Sequence, residues 1–170
     1  MKISVQRAPA TGEPAAVEYR WDTDTAILTA SVAGGAQPGG MSGSVELAGN
    51  DGSWVILDVK GGEIRGVEVA VWPDVKKLPS FRAPEAAEPA SLLVPPSSRG
   101  GSSGTVAVMQ VDTTLIAEAD PAERNIHFRL GSGRPARTVR IARDILVDLD
   151  ASDTLRGIWL LNVPPFPGDS

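Results

Sequence analysis

Val55-Ile56-Leu57-Asp58-Val59 and Ile145-Leu146-Val147-Asp148-Leu149 are the two stretches on which the reading of this chain turns. In an extended segment Val55, Leu57 and Val59 share one face, and Ile56, Asp58 and Lys60 the other; Ile145, Val147 and Leu149 oppose Leu146, Asp148 and Asp150 in the same way. That period is the one of a strand with a core face and a partly wet face. Outward from these stretches the likeness continues. Ile64-Arg65-Gly66-Val67 answers to Leu155-Arg156-Gly157-Ile158, and Val71-Trp72-Pro73 and Asn162-Val163-Pro164 both end a strand at proline. Upstream, Asp22 precedes the alternation Leu28, Ala30, Val32, and Asp120 precedes Ile126, Phe128, Leu130 at the same spacing.

The chain therefore reads as mainly β, with little helix: two tandem similar antiparallel β units packed about a pseudo-twofold axis. Strands are expected near residues 2–6, 16–21, 26–32, 43–48, 54–60 and 63–71, then 105–111, 114–119, 125–130, 136–141, 144–150 and 154–163. Asn50-Asp51-Gly52, Lys60-Gly61-Gly62 and Gly131-Ser132-Gly133 supply turn residues between them. Residues 1–72 form the first unit and 105–170 the second, with a Pro/Gly/Ser-rich connector at 73–104 in which only Leu92-Leu93-Val94 is apolar enough to pack. A unit of this size buries little alone, so the two are expected to form one body in which Val55, Leu57, Val59, Ile145, Val147 and Leu149 are buried. A monomer built as a pseudo-dimer is the expected state, with a homodimer as the alternative.

Composition narrows the chemistry. Among 170 residues there are 18 glycines and 14 prolines, no cysteine and one histidine, which removes disulfides, thiolate nucleophiles, thiolate metal sites and multi-histidine metal centres. Sixteen basic against 21 acidic side chains give a formal charge of −5, unsuited to non-specific binding of a DNA duplex. Neither a signal peptide nor a membrane-spanning apolar run is read in the sequence, and the expected location is cytoplasmic.

The stretch from Asp120-Pro121-Ala122-Glu123 to Phe128-Arg129-Leu130 resembles the opening of the small bacterial family called domain of unknown function 2283. Val55 to Asp58 through Gly62 and Gly66-Val67-Glu68, and Ile145 to Asp148 with Asp150 and Gly157-Ile158, are similar to that family's second half. The resemblance implies a β-rich interaction module without assigned chemistry. It departs from the pattern where Trp21 is matched by Ala119 and Glu68 by Trp159, which argues against a shared active site.

Four features are candidates for function. Asp58 and Asp148 recur, and two carboxylates meeting across a twofold axis would hold a cation or share a proton; the plainer reading is that each bonds turn amides on the wet face. Arg65-Gly66 and Arg156-Gly157 recur, either to hold an anion against exposed amides or because glycine marks a bulge. His127 alternates with Ile126 and Phe128 and is expected to point into solvent beside Arg129. Arg134, Arg137, Arg140 and Arg143 have no counterpart in the first half and would suit an anionic partner, either an acidic protein surface or RNA, unless Asp144, Asp148, Asp150 or Asp153 neutralises them. The glycine runs at 34–35 and 39–43 lack the Gly-Lys-Ser/Thr of a phosphate loop. The four tryptophans are expected to pack, with Trp54 or Trp159 the candidates to line a pocket.

No catalytic set, cofactor motif or metal-ligand spacing emerges. The leading expectation is a non-catalytic protein-interaction or scaffold module with a protein partner. The alternative is a small-ligand binder or carboxylate-based hydrolase with a groove between the repeats, which requires two carboxylates about 5–10 Å apart.

Overall fold

A computed structural model describes residues 3–10, 12–34, 42–95 and 106–167. The protein is mainly β, with no helix among the described residues and 14 strands joined in one curled sheet. They are β1 (Gln6–Pro9), β2 (Val17–Trp21), β3 (Leu28–Val32), β4 (Ser42–Gly49), β5 (Trp54–Lys60), β6 (Glu63–Val71), β7 (Val75–Lys77), β8 (Glu88–Leu93), β9 (Val106–Thr113), β10 (Leu115–Ala119), β11 (Ile126–Leu130), β12 (Arg137–Ala142), β13 (Ile145–Leu149) and β14 (Leu155–Leu160).

Ten of these strands fall into two antiparallel arrays. The first runs β2-β3-β6-β5-β4 and the second β10-β11-β14-β13-β12. Asp58 pairs with Gly66 and Asp148 with Gly157, and in both hairpins the register shifts immediately after the aspartate. Such a bulge adds a residue to one strand and re-aims the side chains beside it. Turn chemistry is equally local: Gly61 and Gly62, at φ of 61° and 79°, turn β5 into β6 in a conformation that costs most residues a clash at Cβ.

β8 joins the arrays, parallel to β12 and antiparallel to β6, and other parallel pairs extend them. β7 runs beside β10, β8 beside β12, and β9 beside β4, so strands on either side of the chain's midpoint attach to the edges of both arrays. Residues 73–95, which composition marks as a connector, thus carry β7 and β8, and Ala90, Leu92 and Val94 are buried. Proline is compatible with β8 because Pro89 lies near its start, paired with β12 alone and outside the stretch of Ala90 to Leu93 that pairs with β1. The Ser/Gly-rich remainder of that connector lies outside the described residues.

The inner faces of both arrays merge into one apolar core. It holds Leu28, Val55, Leu57, Val59 and Val69 from the first array with Phe128, Ile145, Val147, Leu149 and Ile158 from the second. Each of the six alternating positions singled out in the sequence is at most 2% exposed. The N-terminal strand is displaced from its expected place at 2–6: β1 begins at Gln6, while Ile3 and Val5 are buried and bond to the start of β14 through Leu155 N to Ile3 O and Val5 N to Asp153 O, at 2.8 and 3.0 Å. The C-terminal segment straps the two arrays: Tyr19 Oη donates to Leu161 O at 2.7 Å, Trp21 Nε1 to Pro164 O at 2.8 Å, and Arg124 Nε to Val163 O at 2.7 Å. No helix among the described residues is long and apolar enough to cross a membrane.

A single core predicts a single transition. Leu57→Ala in the first array and Leu149→Ala in the second should each cost about 2–5 kcal/mol. Both should shift one and the same cooperative urea unfolding curve; two separable transitions would show that the arrays fold as independent domains.

Candidate functional site

The outer face of the second array is where polar chemistry is concentrated. Its strands present His127 and Arg129 from β11, Asp148 from β13, Thr138 from β12 and Trp159 from β14. In an ordinary half-wet sheet these would be solvated. Here residues between β7 and β8 cover part of that face: Phe81, Ala83 and Ala87 pack on Leu146, Trp159 and Leu161. The expectation of a solvated histidine and a wet aspartate is corrected accordingly, since His127 is 9% exposed and Asp148 3%.

A buried carboxylate must be satisfied by donors, and Asp148 has three side chains around it. Thr138 Oγ1 donates to Oδ1 at 2.6 Å, Trp159 Nε1 reaches both oxygens at 3.1 Å, and His127 Nε2 lies 2.7 Å from Oδ2. Burial pushes the Asp148 carboxyl up, but the hydrogen bonds of His127 and Thr138, the attraction of the His127 ring and the Trp159 bond together outweigh it and hold the group below its ordinary value. An ionised carboxylate only accepts, so the histidine hydrogen resides on Nε2. The imidazole is fixed from its face too, stacked on Trp159 with centroids 3.8 Å apart and planes 10° from parallel. No described residue bonds its Nδ1.

Gly157 is the steric condition for this cluster. A Cβ there would overlap the Asp148 carboxylate, come within 2.9 Å of His127 Nε2 and within 3.1 Å of Phe128 O. The first array carries the same backbone arrangement at Gly66, where a Cβ would meet Ala30 O at 3.1 Å and Asp58 Cβ at 3.3 Å. What differs is the company: Thr29 and Glu68 face each other where His127 and Trp159 do, and Asp58 is half exposed with Lys60 Nζ 3.7 Å away.

Over the cluster opens a cavity of about 550 Å³, lined by His127, Asp148, Arg129, Arg134, Arg156 and the Gly131–Gly133 turn. Arg156 packs against Gly133 and is held by Asp150, Nη2 to Oδ2 at 3.1 Å; Asp150 in turn sits below its ordinary value because the backbone amides of Thr154 and Ser152 and the arginine all bond to it, against the upward pull of burial. Arg129 Nε lies 3.2 Å from Glu118. Arg134 has no carboxylate within 4 Å among the described residues.

The remaining sequence candidates are placed as follows. Arg137 and Arg143 are exposed, and Arg140 donates to the Arg143 carbonyl, so of the four arginines only Arg134 joins the cavity. None of the four neighbouring aspartates pairs with them: Asp148 and Asp150 are bonded as above, Asp144 accepts from Asn162 Nδ2 at 2.9 Å, and Asp153 lies 3.0 Å from Arg7 Nε. Arg65 donates to the Ala33 and Gly34 carbonyls at 2.9 and 3.1 Å, holding the exit of β3 against β6. Asp58 and Asp148 stay within their own arrays and do not meet; Asp22 and Asp120 each accept backbone amides of the turn they begin. Two described cavities touch both arrays: one, bounded by Leu47, Leu130 and Leu155, measures about 30 Å³, room for one water, and has no carboxylate in its lining, and the other, between Trp21, Trp72 and Ile126, has a single one, Glu123, so neither brings two carboxylates together. No group of three or more potential metal ligands occurs among the described residues.

Fold and site together define an all-β protein with a buried Asp–His–Trp–Thr cluster beneath an arginine-lined cavity. No protein-family model and no curated protein matches the chain.

The cluster carries a pH signature. Because the folded carboxyl of Asp148 titrates below its unfolded value of 3.8, the unfolded state binds more protons in that interval and stability rises with pH across it. The Asp148 contribution is complete above about pH 5 and is lost as pH falls through the folded value. Asp148→Asn should therefore lower stability at neutral pH by on the order of 1–3 kcal/mol, and the gap to the wild type should close in acid. Urea unfolding between neutral pH and pH 3 checks this; a gap that stays constant would mean that the carboxylate charge contributes nothing.

Proposed function

We propose that this protein is a binding module rather than an enzyme, and that its ligand is a small anion, a carboxylate or phosphate, held in the cavity over His127. The observation that carries the reading is the charge balance of the cavity: Arg134 pairs with no carboxylate among the described residues, Arg129 and the His127 ring also line it, and the only acid in the lining, Asp148, is already bonded below. Guanidinium groups present paired donors matched to carboxylate or phosphate oxygens. A volume of about 550 Å³ is within the ordinary range for small-molecule sites. Carboxylate hydrolysis is disfavoured because it requires one carboxyl with a raised pKa, whereas Asp148 is held low.

We further read the two arrays as tandem copies related by a pseudo-twofold axis, of which the second acquired the site. The shared strand order, the bulge after Asp58 and Asp148, and the crossed attachment of β8 to the second array and β9 to the first support this.

Calorimetric titration with inorganic phosphate and with citrate tests the ligand class. Binding should weaken with added salt, and Arg134→Ala should reduce affinity about tenfold with unchanged thermal stability. Absence of binding by both anions, or an Arg134→Ala variant that binds like the wild type, would refute the reading. The copy relationship is tested by Thr29→His combined with Glu68→Trp, which should bring an imidazole onto Asp58; an NMR titration showing that histidine uncoupled from Asp58 would count against it.

A further inference from the structure

A second cavity, of about 370 Å³, shares no lining residue with the first. It opens where the end of β2, the exit from β6, the turn before β11 and the C-terminal strap converge, and its walls are Trp21, Trp72, Ile126, Pro164 and Phe166, with Glu123 as the one charged group in the lining. The aromatic surface is organised: Trp21 and Trp72 stack with centroids 5.7 Å apart, and Phe166 stands edge-on to Trp21 at 5.2 Å with planes at 90°. Both indole N–H groups are already spent on backbone, Trp21 Nε1 on Pro164 O and Trp72 Nε1 on Ala26 O, each at 2.8 Å.

These walls therefore offer carbon and π faces and one carboxylate, with no side-chain donor. A ligand rich in hydrogen-bonding groups would leave them unsatisfied here, and an anion would meet Glu123 and the negative ring faces. A quaternary ammonium needs no hydrogen bond, is attracted to aromatic faces, and finds a counter-charge in the carboxylate. Glu123 is held for that role by its turn. Its own φ is 54°, the turn is closed by Glu123 N on Asp120 O at 3.0 Å, and Asp120 accepts the amides of Arg124 and Asn125. Its present partner, Lys77 Nζ at 3.3 Å, is an exposed and solvent-screened one that a ligand cation can displace. We propose that this aromatic cavity is a binding site for a quaternary ammonium group, with Glu123 as its counter-charge.

The test compares choline with 3,3-dimethyl-1-butanol, a neutral carbon isostere of the same shape, by NMR titration of the full chain. Choline should shift the indole N–H resonances of Trp21 and Trp72 and leave that of Trp54 in place. The isostere should bind at least about fivefold more weakly, and Glu123→Gln should weaken choline to a similar degree without altering the isostere. Equal binding of choline and isostere would show an apolar pocket indifferent to charge, and absence of shifts at both indoles at millimolar choline would show no site; either result overturns the proposal. The anion titration above reads different residues, so the two proposals fail separately.

Discussion

The structure depends on the fact that neither five-stranded array has anywhere to put its apolar face except against the other. Leu57 and Leu149 are at most 1% exposed because the inner surfaces close on one another, and an isolated array would leave that whole face in water. The other connections follow from keeping the two together. β7, β8 and β9 attach in parallel to array edges, the N-terminal residues bond to the start of β14, and the C-terminal strap ties β2 to the turn before β11. β8, lying between β12 and β6, also covers an edge that would otherwise be a template for pairing between molecules.

A shared core occupies the inner faces and leaves the outer faces to polar side chains, and the two outer faces differ. Over the first array Asp58 is half in solvent, where an ion pair with Lys60 is weak and nothing forces a defined geometry. Over the second, the segment between β7 and β8 dries the surface, and an aspartate left there must be surrounded by donors. His127, Thr138 and Trp159 supply them. Burial thus converts an ordinary outward-facing position into a rigid one, with the imidazole clamped from edge and face beside the cavity.

The alternation of Val55 to Val59 and Ile145 to Leu149 was legible because strand periodicity and turn residues are local properties, and ten array strands lie within a few residues of where they are expected. β7 and β8 were not legible, since proline-rich composition describes a solvated linker as readily as a short strand that pairs beside its prolines. His127 was misread for another reason. Alternation tells which face a side chain takes, but whether that face is wet depends on Phe81 and Ala87, far away in sequence. The signal available was Trp159 in the place of Glu68: a large apolar residue on a supposedly wet face calls for a cover. The aromatic cavity was hidden similarly, because Trp21 and Trp72 meet Phe166 only once the C-terminal strap is in place.

Placing chemistry on the outer face of one array has a mechanical consequence. Substitutions at Thr29, Glu68, His127 or Trp159 change side chains that point away from the shared core, whereas changes at Leu57 or Phe128 are felt by both arrays at once. The outer positions can therefore diverge while the inner ones are constrained together. Gly66 and Gly157 belong with the constrained set although they face outward: each lies opposite its aspartate beside a backbone carbonyl of the adjoining strand, and a Cβ would overlap the Asp148 carboxylate at Gly157 and press on Ala30 O at 3.1 Å at Gly66. The recurrent Arg-Gly pair is thus explained by close approach of strands at the glycine, while its arginines are free to serve different ends, Arg65 holding the exit of β3 and Arg156 lining a cavity.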